Sequence, residues 1–135
     1  MVNVASEANS VTQPLRVLLI EDHPDLAAAT AGFLEAEGLD VRTALSGHEA
    51  LEIAPAFQPQ LLLCDLHLPD MSGLDVVREL RSNPSTERTY VVILTGTAGM
   101  DSTEVDVDFW MVKPMTTEAL HRVLRRVSLK IHNSG

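Results

Sequence analysis

The sequence predicts an α/β protein built on a doubly wound parallel sheet. Past Pro14, short apolar runs alternate with longer segments of helical period, and this alternation indicates strands separated by helices. Three of the runs are apolar almost throughout, as is typical of parallel strands covered on both faces. The length of 135 residues suits a single domain with one sizeable core.

Five apolar runs predict the strands, at residues 15–20, 39–44, 60–65, 90–95 and 107–112. Five strand–helix units in about 115 residues fit the flavodoxin-like arrangement, in which the strand order across the sheet is 2-1-3-4-5. We expect the folded domain to span residues 15–130. Residues 1–14 then form a polar, flexible tail, and residues 131–135 a second, short one.

Residues typical of helix ends predict the first two helices. Pro24 stands near the start of the first and Gly38 just after its end, which is the usual asymmetry of helix termini. The second opens with Ser46 and Glu49, the spacing of a capping box, and we expect Pro55 to limit it.

Apolar stripes predict two further helices, over 73–83 and 116–127. The first stripe is spaced by three and Pro84 follows it: Leu74, Val77 and Leu80. The second places four apolar residues on one face: Leu120, Val123, Leu124 and Val127.

The stretch between the fourth and fifth strands predicts only a shortened helix. From Gly96 to Asp106 there are 11 residues, which must run back along a strand of about 15–20 Å. As helix throughout they would span only about 16 Å, which leaves nothing for the turns. We therefore expect one short helical turn at most, and an unusual partner surface on this side of the molecule.

Charge and cysteine content narrow the class of function. The chain has 19 Asp and Glu against 10 Lys and Arg, a net charge of −9, which argues against direct binding of nucleic acid. A single cysteine, Cys64, excludes an internal disulfide and fits a reducing compartment. No run approaches the roughly 18 apolar residues of a membrane span, and no secretory signal is evident. We expect a soluble, cytoplasmic protein without membrane contact.

Chemically active side chains gather where the predicted strands end. They are Glu21 and Asp22 after strand 1, Asp65 after strand 3, Thr95 after strand 4, and Lys113 with Pro114 after strand 5. In this type of sheet the functional crevice lies beyond the carboxyl ends of the strands. Three carboxylates there would repel one another unless a divalent cation sits among them, and all-oxygen ligation suits Mg²⁺. Taken singly, each of these residues is also an ordinary strand-end or helix-capping residue.

The combination resembles the receiver domain of two-component response regulators, and the resemblance covers residues 15–128. It implies that Glu21 and Asp22 are the acidic pair and that Asp65 is the phosphoacceptor. Thr95 then takes the place of the hydroxyl residue and Lys113 that of the lysine, with a cis bond to Pro114.

The resemblance also implies a mechanism. Asp65 takes a phosphoryl group from a phosphohistidine, with Mg²⁺ bound by Asp22, by Asp65 and by the backbone carbonyl of His67, and with Glu21 acting through water. Thr95 and an aromatic residue then switch conformation, and here the aromatic position is Trp110. Two residues of the segment DLHLPDMSG, Pro69 and Gly73, shape the loop beside the metal.

Three functions compete for this sequence. The first is a signalling module phosphorylated by a histidine kinase or phosphotransfer protein, which acts on a downstream protein target and catalyses only its own phosphorylation and dephosphorylation. Met1 favours a complete short protein, and a piece of a larger regulator or hybrid kinase is the alternative. Others are a phosphorylation-independent adaptor and a phosphatase-type hydrolase, although the latter would want an acid where His67 stands. The sequence leaves the oligomeric state open.

Overall fold

The computed structural model describes residues 13–96 and 106–134. The elements of the described chain are, in order, β1 (Arg16–Ile20), α1 (Pro24–Ala36), β2 (Asp40–Ala44), α2 (Gly47–Phe57), β3 (Leu61–Asp65), α3 (Gly73–Arg81), β4 (Tyr90–Thr95), β5 (Phe109–Val112) and α4 (Thr117–Ser134).

The five strands form one parallel sheet in the order β2-β1-β3-β4-β5. This confirms the predicted doubly wound architecture and its strand order. β1 and β3 are neighbours, with Ile20 paired to Cys64, so the chain segments that follow these two strands emerge side by side. That placement is what brings acids distant in the sequence to one edge of the sheet.

The sheet carries a hydrophobic core on each face, because alternate residues of every strand point to opposite sides. On one face α2 and α3 cover Leu18, Leu62 and Ile93. On the other face α1 and α4 cover Leu19 and Leu63. β3 and β4 are buried along their whole length, which explains their nearly continuous apolar sequence.

The predicted limit of the second helix was wrong. α2 continues through Pro55 to Phe57, and Gln58 then ends it with a positive φ of 49°. A proline inside a helix has no N–H to donate one turn back, and its ring crowds the carbonyl there, so other contacts must offset these costs. Phe57, at the end of the added residues, packs against the core, and the Gln58 N–H donates to the Ala54 carbonyl at 2.8 Å.

Two predictions concern the helix between β4 and β5 and the end of the last helix. The shortened helix between β4 and β5 falls on residues 97–105, which lie outside the described residues, so it stays a prediction. α4 is described, and it continues to Ser134, past residue 130 at which the sequence ends the predicted domain. Within 13–96 and 106–134, no helix is both long enough and apolar enough to cross a membrane.

Candidate functional site

The carboxyl edge of the sheet encloses a small cavity, which we call the strand-end cavity. It has a volume of about 180 Å³ and is lined by predicted site residues from four chain segments: Asp22, Asp65, His67, Thr95 and Lys113. Glu21 is 5% exposed, and its Oε1 lies 3.8 Å from the Lys113 Nζ. The structure therefore brings together the carboxylates, the hydroxyl and the lysine that the sequence placed at separate strand ends.

Asp65 is the last residue of β3 and is only 4% exposed. The Lys113 Nζ lies 2.7 Å from its Oδ1, close enough for an ion pair but without the angles of a hydrogen bond. Burial raises the pKa of Asp65 to about 6, the nearby Lys113 ammonium lowers it, and the adjacent Glu21 carboxyl adds to the rise. The chain thus holds a buried carboxylate oxygen beside the Lys113 ammonium.

Glu21 is held in place by the residues that follow it. Its Oε2 accepts a hydrogen bond from the backbone N–H of His23 at 3.1 Å and lies 3.0 Å from the His23 Nδ1. Burial alone would raise the pKa of Glu21, but these bonds from His23 outweigh it, and the pKa is lowered. Glu21 therefore stays ionised although it is buried.

His23, which the sequence analysis did not single out, lies beside the two acids Glu21 and Asp22. Ligand atoms of Glu21, Asp22 and His23 lie within 4.8 Å of one another. The hydrogen bond to Glu21, followed by the charge of Asp22, raises the pKa of the His23 imidazole. The signal in the sequence was its position directly after two acids, where a short turn folds the imidazole back onto them.

Lys113 and Thr95 are joined through the backbone. The Lys113 N–H donates to the Thr95 carbonyl at 2.8 Å, which extends the pairing of β4 and β5 by one residue. Burial would lower the pKa of Lys113, but the Asp65 carboxylate outweighs it and the pKa is raised. The Lys113–Pro114 peptide bond is cis. Lys113 is thus a fixed cation that points at Asp65.

The loop after Asp65 is folded tightly against the strand. The Gly73 N–H donates to the Leu66 carbonyl at 2.7 Å, and a Cβ on Gly73 would overlap the carbonyl oxygen of Asp65. A bridge between His67 and Ser72 closes the loop, and Pro69 is exposed near its tip. Gly73 is therefore required by a close approach of two backbone segments.

Asp70, which the sequence did not single out, ties this loop to a distant helix. Its two carboxylate oxygens accept hydrogen bonds from the backbone N–H groups of Gly47 at 3.0 Å and His48 at 2.8 Å. These N–H groups belong to the first turn of α2, and their hydrogen bonds lower the pKa of Asp70. Nothing in the sequence around Asp70 points to a partner 23 residues earlier in the chain.

Trp110 lies apart from the strand-end cavity. It pairs with Ile93 across β4 and β5 and is half-buried against the core under α2 and α3. Thr95 lies two residues beyond Ile93, so both side chains belong to the same face of the sheet. The predicted switch residues are therefore neighbours along one face, although Trp110 does not line the cavity.

Comparison with known proteins agrees with this geometry. The sequence model described as the response regulator receiver domain matches residues 17–125. The chain belongs to this family. The cell cycle response regulator CtrA of Brucella abortus (strain 2308) is 35% identical over 120 residues, which is 83% of this chain and 51% of that protein. The chain thus spans about half the length of the curated relatives it matches.

Solved structures of receiver proteins have the same fold. The chemotaxis response regulator CheY4 of Vibrio cholerae has a TM-score of 0.77 at 27% identity, covering 85% of this chain and 99% of that one. The response regulator TrrA of Thermotoga maritima, in complex with Mg²⁺ and BeF, has a TM-score of 0.74 at 25% identity, covering 84% of this chain and 98% of that one. This receiver domain is therefore CheY-like and part of two-component signalling.

Proposed function

We propose that Asp65 accepts a phosphoryl group from a phosphohistidine of a histidine kinase or phosphotransfer protein, with Mg²⁺ as cofactor. The observation that carries the proposal is the pairing of a buried, cavity-lining carboxylate with a single lysine 2.7 Å away. A structural ion pair would not need to open onto a cavity. A nucleophile must do so, because the phosphorus has to reach it.

The donor set fits Mg²⁺. Asp22 and Asp65 line the cavity, the preceding residue Glu21 is buried, and carboxylate oxygens are the ligands that a hard cation prefers. We assign Asp22, Asp65 and the His67 backbone carbonyl as direct ligands, and Glu21 as a ligand through water. The structure of TrrA in complex with Mg²⁺ and BeF supports Mg²⁺ as the cofactor. When bound, the metal would neutralise charge on the phosphoryl oxygens.

Each side chain of the site has its own role in the phosphoryl transfer. An ionised Asp65 oxygen attacks the phosphorus and forms the new P–O bond. The P–N bond breaks, and its electron pair stays with the histidine ring of the donor, which takes up a proton. Lys113 stabilises the charge of the phosphoryl oxygens, and the Thr95 hydroxyl donates to one of them afterwards. The chain acts in this way only on its own phosphorylation and dephosphorylation.

The consequence of phosphorylation that we propose is a change of protein contacts. Thr95 moves toward the phosphoryl group, and the half-buried Trp110 on the same face of the sheet repacks. A downstream protein target then reads the altered surface of β5 and its neighbours. A cytoplasmic location fits the buried thiol of Cys64, since thiols persist in reducing compartments.

The test is phosphorylation by a small phosphodonor followed by mass spectrometry. We expect the wild type to gain one phosphoryl group when both acetyl phosphate and Mg²⁺ are present, and Asp65→Asn to gain none. Asp25→Asn, which alters an exposed acid in the first turn of α1, is the matched control and should be labelled like the wild type. Equal labelling of Asp65→Asn and the wild type would refute the assignment, and an unlabelled wild type would favour the adaptor function.

A further inference from the structure

We propose that a second cavity, at the opposite edge of the sheet from Asp65, binds a small organic oxyanion. We call it the amino-edge cavity, because it lies at the amino-terminal ends of the strands. It lies where β1 and β4 begin, at Arg16 and Tyr90, and just before β3, at Gln60; α4 forms one wall. Its volume of about 320 Å³ falls at the lower end of the range for small-molecule sites.

The lining of this cavity is cationic in a protein that is otherwise acidic. Arg16, Arg88 and Lys130 line it, and no lining residue is Asp or Glu. The whole chain carries a net charge of −9, so a concave surface with only positive charges departs from the rest of the sequence. The Lys130 Nζ is 3.4 Å from Asp108, and this carboxylate takes up part of its charge. The two arginines are not among the ion pairs of the described residues.

Arg16 is held in a fixed orientation before any ligand arrives. Its Nε donates to the carbonyls of Phe57 at 3.1 Å and Gln58 at 3.0 Å, at the end of α2. These bonds occupy Nε, and the two terminal nitrogens of the guanidinium remain as a planar pair of donors. Such a pair matches the oxygens of a carboxylate or phosphate. A side chain ordered in advance also loses less entropy on binding.

The polar groups around Arg16 present donors as well. The Gln60 Oε1 accepts from the backbone N–H of Arg16 at 3.0 Å, so the amide nitrogen is the end of Gln60 left to donate. The Thr89 hydroxyl donates to the Pro59 carbonyl at 2.7 Å, so this carbonyl oxygen already has a donor and is less available to accept from a ligand. A lining of guanidinium, ammonium and amide donors selects an anion over a cation or a neutral sugar.

The other wall is apolar. Val127 and Ile131 of α4 and the ring of Tyr90 form it, and the Lys130 Nζ lies 5.5 Å from the centre of that ring. The ligand that fits both walls carries a phosphate or carboxylate together with a ring or a short hydrocarbon part. The amino-edge and strand-end cavities share no lining residue, so this inference does not rest on the proposed phosphoacceptor function.

The experiment is titration of the full chain with chosen anions, followed by NMR at constant ionic strength set with KCl. The probes are adenosine monophosphate for phosphate esters, citrate for carboxylates, and adenosine as the neutral control. We expect saturable binding of one anion class below about 10 mM, with the largest shifts at Arg16, Thr89 and Tyr90. Which of the two anions binds decides between the phosphate and carboxylate sources.

Matched variants distinguish specific binding in the cavity from general attraction of anions to surface cations. Arg88 is exposed and lines the cavity, whereas Arg125 is exposed on α4 and does not. Arg88→Ala should weaken binding by about tenfold, the usual effect of removing one charged donor, and Arg125→Ala should leave it unchanged. The proposal is overturned if neither anion saturates, if adenosine binds as well as its monophosphate, or if both variants lose affinity equally.

Discussion

Asp65 has a raised pKa in the folded chain, which makes its charge a cost to stability without metal. Its pKa is about 6, against an ordinary 3.8, because burial outweighs the attraction of Lys113. The folded state therefore binds more protons than the unfolded state between these values, and stability falls as pH rises through this window. Above pH 6 the ionised carboxylate is a net destabilising group.

Asp65→Asn should accordingly stabilise the metal-free protein at pH 7.5, by about 1–3 kcal/mol. The gain should shrink as the pH falls from 6 and vanish below 3.8, where Asp65 is protonated in both states. Urea unfolding in EDTA at several pH values measures it. A stability difference between variant and wild type that does not depend on pH would contradict the assigned cause.

Trp110 offers an optical report on the proposed switch, since it is the only tryptophan of the chain. Its ring is half-buried beside Ile93, on the face of the sheet that also carries Thr95. We expect its fluorescence intensity or wavelength to change when Mg²⁺ and beryllofluoride are added together. Thr95→Ala is the comparison and should reduce the change. Bound beryllofluoride with unaltered emission would argue against a switching role for Trp110.

At the scale of single residues, the sequence predicted the members of the site better than their contacts. Glu21, Asp65 and Lys113 could be found because a strand order fixes which strand ends meet. His23 and Asp70 could not, because their partners are set by the shape of two loops. Loop shape depends on close approaches such as that of Gly73 to Asp65, which no apolar pattern records.

Among the elements, the loop between β3 and α3 depends on a helix distant in the sequence. Asp70 binds two N–H groups of the first turn of α2, and Met71 packs against the same turn so closely that a Cβ on Gly47 would overlap it. The start of α2 therefore supports the loop that carries His67. We infer that Asp70 positions this loop for metal binding without touching the metal.

Asp70→Ala should lower the free energy of unfolding, because the first turn of α2 loses the acceptor of two N–H groups. It should also weaken Mg²⁺ binding, measured by Trp110 fluorescence or by calorimetry. Ser46→Ala, which removes another cap of α2 but leaves the loop intact, is the matched control. It should lose similar stability and keep the wild-type affinity for Mg²⁺. Equal affinities in all three proteins would limit Asp70 to a structural role.

The helices and strands were largely predictable from the apolar pattern and from residues typical of helix ends, except for the ends of two helices. α2 passes through Pro55 to Phe57, whose side chain packs against the core and whose carbonyl accepts a hydrogen bond from the Arg16 Nε; these are tertiary contacts that the local sequence does not record. α4 runs on to Ser134 although its apolar stripe was evident only to Val127. Helix ends depend on neighbours as well as on propensity, so the sequence places them less well than helix interiors.

Across the whole molecule, Asp108 connects elements that are far apart in the chain. Its Oδ2 accepts from the Val91 N–H at 2.8 Å and from the Arg81 guanidinium at 3.0 Å, and the Lys130 Nζ lies 3.4 Å from its Oδ1. Arg81 also donates to the carbonyls of Glu87 and Thr89. One carboxylate thus joins α3, β4, the start of β5 and α4.

Removing Asp108 should therefore destabilise the fold as a unit. Its side chain is 20% exposed and that of Arg81 is 15% exposed, so solvent screens the pair only in part. The loss leaves the Val91 N–H without this acceptor and removes one of the partners of Arg81 and Lys130. We expect Asp108→Ala to lower the free energy of unfolding by about 2–3 kcal/mol in urea, with an unchanged slope. Asp40→Ala, at the exposed start of the edge strand β2, should cost far less. If the two variants were equally stable, Asp108 would be no more than a surface acid, and the joining of α4 to the sheet would rest on apolar packing alone.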